Sequence, residues 1–169
     1  MRVLGLDPGS RFTGYGCIEL RGGGRCALLD QGRISLPPGA SLAGRLAILT
    51  TEIEALVARL APEVAVLEQP FSGVNTRSLI VLAQARGALL AALARHGLAI
   101  EEYSPAEVKS AVTGNGRAGK EQVARMVALL LGGGGAPIPH DASDALAVAL
   151  CYAARRPLLR AVSPLNGAK

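Results

Sequence analysis

The chain has 169 residues, half of them hydrophobic, and a formal net charge of +5. That length suits one domain with a sizeable core, and the core must be aliphatic, because there are two Phe, three Tyr and no Trp. Composition argues against a disulfide-stapled chain: Cys17, Cys26 and Cys151 are widely spaced, form no C-x-x-C pair and read as free thiols of a reducing cytoplasm. A β pattern begins directly after Met1-Arg2, with no secretory leader ahead of it. The longest Ala/Leu-rich stretch, Leu79 to Ala94, carries Gln84 and Arg86, so no membrane span is expected. The basic balance favours a polyanionic partner, either nucleic acid or an acidic membrane surface.

In chain order, residues 2–7, about 12–20 and about 25–34 read as strands, with Gly22-Gly23-Gly24 as the turn between the second and third. Pro37-Pro38-Gly39 stops the third. Ser41 is a good N-cap for a helix to Leu60, whose apolar stripe is Leu42, Leu46, Leu49, Ile53, Leu56 and Leu60. After Pro62, Val64–Glu68 is a short buried strand. A loop from Gln69 to Asn75 leads to a helix from about Thr76 to His96. Its small residues Ala83, Gly87, Ala88 and Ala91 suit either packing on the sheet or a second subunit.

Leu98–Tyr103 reads as a fifth strand. Ser104-Pro105-Ala106-Glu107 is a capping box with Pro at the first helical position, and Gly114 ends that helix. Thr113 to Lys120 is a basic turn containing Arg117, followed by a helix to about Leu131. A Gly/Pro link, Gly132 to Pro139, precedes a last helix from near Asp141 to about Ala154, and the tail after Pro157 is expected to be loose. The order β-β-β-α-β-α-β-α-α-α joins an antiparallel meander to parallel crossovers, so the sheet should be mixed.

Four acids stand at the ends of apolar runs: Asp7, Glu68, Asp141 and Asp144. Each has an ordinary reading. Asp7-Pro8-Gly9 is also a turn sequence, Asp141 and Asp144 also suit a helix start, and Glu68 also suits a solvated strand end. Together they describe acids at the edges of separate buried elements, which can converge into a cup for hard divalent cations. Asp141 and Asp144, three residues apart, share one helix face. Two Mg²⁺ about 4 Å apart in such a cup are suited to phosphodiester hydrolysis. His140 adjoins the acid pair, as a further ligand, a proton shuttle or a solvated loop residue. Phe71, in a Gly/Ser-containing loop, is either a core residue or a ring exposed for stacking on an unpaired base.

These stretches resemble the RuvC family of bacterial Holliday-junction resolvases, crossover junction endodeoxyribonucleases of the ribonuclease-H-like superfamily. The similarity runs in order through Leu4-Gly5-Leu6-Asp7-Pro8-Gly9 with Thr13-Gly14-Tyr15-Gly16, Glu68-Gln69-Pro70-Phe71 and Gln84-Ala85-Arg86-Gly87. It continues through Val108-Lys109, Gly119-Lys120 and Asp141-Ala142-Ser143-Asp144-Ala145-Leu146-Ala147. The resemblance implies an α/β, ribonuclease-H-like fold with a five-stranded mixed β-sheet flanked by α-helices over residues 1–157, and a flexible tail over 158–169.

It also implies a cytoplasmic homodimer that resolves four-way DNA junctions by two symmetric nicks, with two Mg²⁺ per site, Mn²⁺ substituting, beside the branch-migration proteins RuvA and RuvB. Asp7, Glu68, Asp141 and Asp144 would be the catalytic, metal-binding acids. Lys109, Lys120, Arg117 and Phe71 would serve DNA binding. Two other functions remain compatible with the acid set: an RNA-processing nuclease on the same fold, and a non-catalytic junction-binding protein. A kinase-like phosphate loop is set aside because such enzymes need two domains around a nucleotide.

Overall fold

The computed structural model describes residues 1–69, 76–132 and 138–162. Val3, Leu4 and Leu6 of the first strand, β1 (Arg2–Asp7), are fully buried although they point to alternate faces, and a strand buried on both faces needs a layer on each. β2 (Phe12–Leu20) returns antiparallel to β1. A single 3₁₀ turn at Gly22–Gly24, with Gly23 and Gly24 at φ +73°, leads into β3 (Cys26–Ser35). The helix α1 (Leu42–Leu60), with Gly44 N–H donating to the Ser41 cap at 3.1 Å, then carries the chain across to β4 (Val64–Glu68). The remaining elements are α2 (Thr76–Arg95), β5 (Ala99–Tyr103), α3 (Pro105–Thr113), α4 (Lys120–Leu130) and α5 (His140–Val162).

The five strands form one sheet in the order β3-β2-β1-β4-β5, with β1, β4 and β5 mutually parallel and β2 and β3 antiparallel to their neighbours. This is the expected mixed sheet. One face, from Leu4, Leu6, Cys17, Ala65 and Leu67, packs on α1 and α2. The other, from Val3, Ile18, Val64, Val66 and Tyr103, packs on α3, α4 and α5. The Ser104 capping box forms as expected, and the Glu107 carboxylate also accepts from Arg155 of α5 at 2.6 Å, tying α3 to α5. All three thiols are free: Cys17 and Cys151 are buried on opposite faces of the sheet, and Cys26 is half-buried.

α5 rests on the sheet at glycines. A β-carbon at Gly5 would stand 2.0 Å from the Ala145 carbonyl oxygen, one at Gly14 2.0 Å from that of Asp141, and one at Gly16 2.4 Å from the Leu146 side chain. The helix answers with its own small residues, Ala142, Ala145 and Ala149, all without exposed surface. Backbone therefore lies against backbone along β1 and β2, and the first turn of α5 is held at the strand ends.

Two sequence expectations change. The last helix does not end near Ala154: it continues through Val162, past the expected domain boundary at 157. Pro157 forfeits one backbone donor, while the residues after it, Leu158, Leu159 and Arg160, are good helix formers. Residues 163–169 of the expected tail lie outside the described residues, as does Phe71. The small residues of α2 divide between two surfaces. Ala85, Leu89, Ala92 and Leu93 face the sheet, whereas Ala83, Gly87 and Ala91 are exposed.

One substitution at two glycines should have opposite effects. Gly5→Ala must displace α5 and should cost about 1–3 kcal/mol or more, whereas Gly87→Ala, with nothing within 4 Å of the new carbon, should stabilise by about 0.5–1 kcal/mol through helix propensity. Denaturant unfolding of the two variants checks this pair.

Candidate active site

The parallel register of β1 with β4 ends at Leu6 opposite Leu67, so the next residues, Asp7 and Glu68, stand side by side at the C-terminal ends of the strands. Side chains alternate along a strand; since Leu6 and Leu67 face α1 and α2, both acids face α5. Asp144, in the first turns of α5, meets them there. A cavity of about 340 Å³ is lined by Asp7, Glu68, Asp144, Lys109 and Lys120 over apolar side chains that include Val108 and Val123. Three of the four sequence-predicted acids and both predicted lysines thus line one space. Asp141 does not line it, though its charge reaches Asp7.

Burial, then the charges of Asp144 and Glu68, push the Asp7 carboxyl up to about 7, with Lys120 opposing and Asp141 adding a smaller upward push. Burial and Asp144 also raise Glu68, against Lys109 and Lys120. Lys120 is the first residue of α4, where the helix dipole disfavours a cation; its Nζ lies 3.7 Å from Asp144 Oδ2. On the other side of α5, Arg33 Nη1 lies 3.7 Å from Asp141 Oδ2. Each acid of the pair on α5 therefore has its own cation.

Among the described residues, no three carboxylates, histidines or thiols already converge as a closed metal shell. The donor chemistry nevertheless fits a hard divalent ion: carboxylate oxygens share one water-accessible cavity, and burial together with their mutual repulsion makes one acid reluctant to ionise. Positive charge placed among them would reverse that penalty.

Of the other expected site residues, His140 is the exposed first residue of α5 and does not line the cavity. Arg117 is exposed in the turn before α4, where its backbone N–H donates to Asn115 Oδ1 at 3.0 Å. Two residues were not singled out from sequence. Arg86 of α2 is nearly buried, donates to the Glu68 carbonyl oxygen at 2.7 Å and pairs with Glu102 of β5, fixing the strand end that carries Glu68. Its signal was an arginine among the small residues of an amphipathic helix. Arg33, on an edge strand, offered no signal of its own.

A family model described as "Crossover junction endodeoxyribonuclease RuvC" matches residues 3–152. The chain belongs to the RuvC family. A RuvC of Anaeromyxobacter sp. (strain K) is 49% identical over 156 residues, covering 92% of this chain and 82% of its own length. A RuvC of Neisseria meningitidis serogroup C is 48% identical over 155 residues, covering 92% and 86%. The solved structure of Thermus thermophilus RuvC in complex with a Holliday junction substrate superposes with a TM-score of 0.87 at 32% identity, covering 94% of this chain and 96% of that one. The ribonuclease-H-like α/β fold expected from sequence is the fold of this RuvC family member.

The raised Asp7 has a thermodynamic signature. Between its ordinary value of 3.8 and about 7 it is protonated in the fold and ionised in the unfolded chain, so the stability it contributes at low pH is lost as pH rises through that window. Asp7→Asn cannot lose it. In chelator, wild type should lose about 2 kcal/mol relative to Asp7→Asn between about pH 4 and pH 8, after allowance for solvent screening. Divalent cation should then stabilise wild type more than the variant at the upper pH. Paired thermal melts measure both effects.

Proposed function

We propose that this chain is a Holliday-junction resolvase that hydrolyses phosphodiester bonds at a divalent-metal site built on Asp7, Glu68, Asp144 and Asp141. The observation that carries this reading is the cavity at the strand ends lined by three acids and two lysines, in a chain of a family of crossover junction endodeoxyribonucleases. Support for the substrate comes from the Thermus thermophilus relative, whose structure holds a Holliday junction substrate.

The four acids would hold Mg²⁺, two ions per site, with Mn²⁺ able to substitute. When bound, such ions supply the Lewis acidity that favours an attacking water and a departing 3′ oxygen. The chain's own residues do the rest. Arg86 fixes the backbone at Glu68. Lys109 and Lys120 point into the cavity, where an ammonium offsets negative charge developing on the phosphoryl oxygens. Lys120 lies beside Asp144 at 3.7 Å, and a divalent ion held by Asp144 would leave more of that ammonium's three donors for a phosphate, so ion and substrate binding should reinforce each other.

Two nicks in strands of like polarity call for two cups. A C₂ dimer supplies them, and the exposed Ile80, Ala83, Gly87 and Ala91 of α2 form an outward strip suited to a second copy. RuvA and RuvB proteins are the partners implied by the family. No helix among the described residues is long and apolar enough to cross a membrane, and a cytoplasmic location suits the three free thiols.

A labelled four-way junction, a duplex and an RNA–DNA hybrid, each incubated with and without Mg²⁺, test the reading. Cleavage should be selective for the junction and vanish in chelator. Asp7→Asn should lose at least about 10²-fold in cleavage rate while still binding the junction. Efficient cutting of the hybrid alone would instead identify an RNA-directed nuclease.

For the dimer, Gly87→Leu should leave the fold intact, because the position is exposed and a β-carbon there meets nothing within 4 Å, yet shift sedimentation towards monomer and convert paired nicking to single nicks. Wild-type sedimentation as a strict monomer on a junction would rule out the symmetric arrangement.

A further inference from the structure

The rung of the sheet that carries Asp7 ends in an arginine. Register pairs Asp7 with Gly14 and Gly14 with Arg33, so the three residues lie in one row across β1, β2 and β3. Directly opposed residues share a face, and Gly14 faces α5, as its close approach to the Asp141 carbonyl oxygen requires. Arg33 therefore rises on the catalytic face, two strands from Asp7, or about 10 Å between backbones. Phe12 lies on the same face, two residues before Gly14, diagonal to Arg33 across the β2–β3 pair.

The side chains use this placement. The Arg33 guanidinium sits 4.4 Å from the centroid of the Phe12 ring, while reaching Asp141 Oδ2 at 3.7 Å. Both residues are solvent-facing: Phe12 is 38% exposed, and the Arg33 side chain 55%. An arginine on an exposed edge strand ordinarily has no preferred direction. Here the ring restrains the flat face of the guanidinium and leaves its N–H edge free to donate. Two arginines of neighbouring segments are engaged elsewhere: Arg59 with Asp30 at 2.6 Å, and Arg45 with the Ser10 carbonyl at 3.2 Å. The partner of Arg33 is Asp141, whose charge reaches Asp7, at a longer distance than either.

The result is a cation on each side of the acids. Lys109 and Lys120, from α3 and α4, line the cavity with Asp7 and Glu68, whereas Arg33 stands on β3, the edge strand farthest from β5. We propose that Arg33, braced on Phe12, is a phosphate-binding site for the nucleic-acid backbone, gripping the substrate strand one to three nucleotides from the scissile phosphate on the side away from the lysines. The spacing suits this, since a strand advances about 3.4 Å per nucleotide along the helix axis. A backbone phosphate replaces Asp141 as the guanidinium's partner and accepts two parallel N–H bonds from it. The same exchange frees the Asp141 carboxylate to turn inward. This inference rests on the junction-cleaving function proposed above.

The test is binding rather than cleavage. Affinity for a labelled four-way junction is measured in chelator across a range of salt for wild type, Arg33→Gln, Arg33→Lys and Phe12→Leu. Arg25→Gln is the control: Arg25 is exposed at the far end of β3, about 26 Å along the strand. Arg33→Gln should weaken binding about tenfold at moderate salt and reduce the slope of log K against log salt by about one. Arg33→Lys should keep the slope but lose affinity, because the charge remains without the planar fork. Phe12→Leu should do likewise, because the charge remains without its brace. Arg25→Gln should match wild type.

Thermal melts identify any variant that has not folded, and Arg33→Lys, which retains a cation beside Asp141, keeps the comparison open in that event. Wild-type affinity and slope in Arg33→Gln, or equal losses in Arg25→Gln, would overturn the proposal and leave Arg33 as a counter-ion of Asp141. Failure of wild type itself to bind the junction would overturn the proposed function as well, a result distinct from either.

Discussion

Everything at the acid-bearing end of the sheet depends on one helix lying against strand backbone. Three glycines on β1 and β2 remove the side chains that would normally separate helix from sheet, and three alanines on α5 complete the contact. Sheet and helix thus approach more closely than ordinary side-chain packing permits. The consequence is positional. Asp7 and Glu68 are fixed by strand register, and Asp144 reaches them only because the start of α5 is pressed against the strand ends. Were a methyl group inserted in that seam, the acids would keep their local conformations but lose their common cavity.

Bringing these acids together opposes stability. Desolvation and mutual repulsion raise Asp7 to about 7, and the protein limits the cost with cations rather than with distance. Lys120 attends Asp144, Arg33 attends Asp141, and Lys109 and Lys120 together ease the ionisation of Glu68. These are exposed or half-exposed pairs, of modest strength and easily exchanged. That weakness suits the work proposed for them. A buried, well-bonded lysine would hold its acid against an incoming divalent ion, whereas an exposed one yields. By contrast, Arg86, whose task is to hold the backbone at Glu68, is nearly buried and paired with Glu102.

Much of the fold was legible because its boundaries are written in local chemistry. The Ser104–Glu107 box, the Ser41 cap, Gly114 and Pro62 mark element ends through backbone hydrogen bonding that requires no tertiary information. The acids were legible as a set through their positions at the ends of apolar runs and their resemblance to RuvC; no one of them was distinctive alone. What escaped depends on pairing across the chain. Arg33 acquires its place from two successive antiparallel registers, β1 with β2 and β2 with β3, and nothing within its own strand announces the row that leads to Asp7. Arg86 read as a break in an apolar helix until the ends of β4 and β5 supplied its partners. The end of α5 was misjudged for the opposite reason: a local signal, Pro157, was given more weight than the helix-forming residues that follow it.

The sulfur chemistry of the chain follows from the same layered burial. Cys17 and Cys151, on opposite faces of the sheet, are both pushed up to about 11 by loss of solvent, and burial raises Cys26 in the same direction. The thiolate is the species that reacts with oxidants, disulfides and alkylating agents. For a thiol near 11, only about one molecule in ten thousand carries it at neutral pH. A protein that works on broken and recombining DNA thus meets peroxide and electrophiles with its cysteine thiols held largely in the protonated, less reactive form. A single cysteine introduced at an exposed position would compete with native thiols of which two are buried and all three are held protonated, opening the molecule to site-selective spectroscopic labelling.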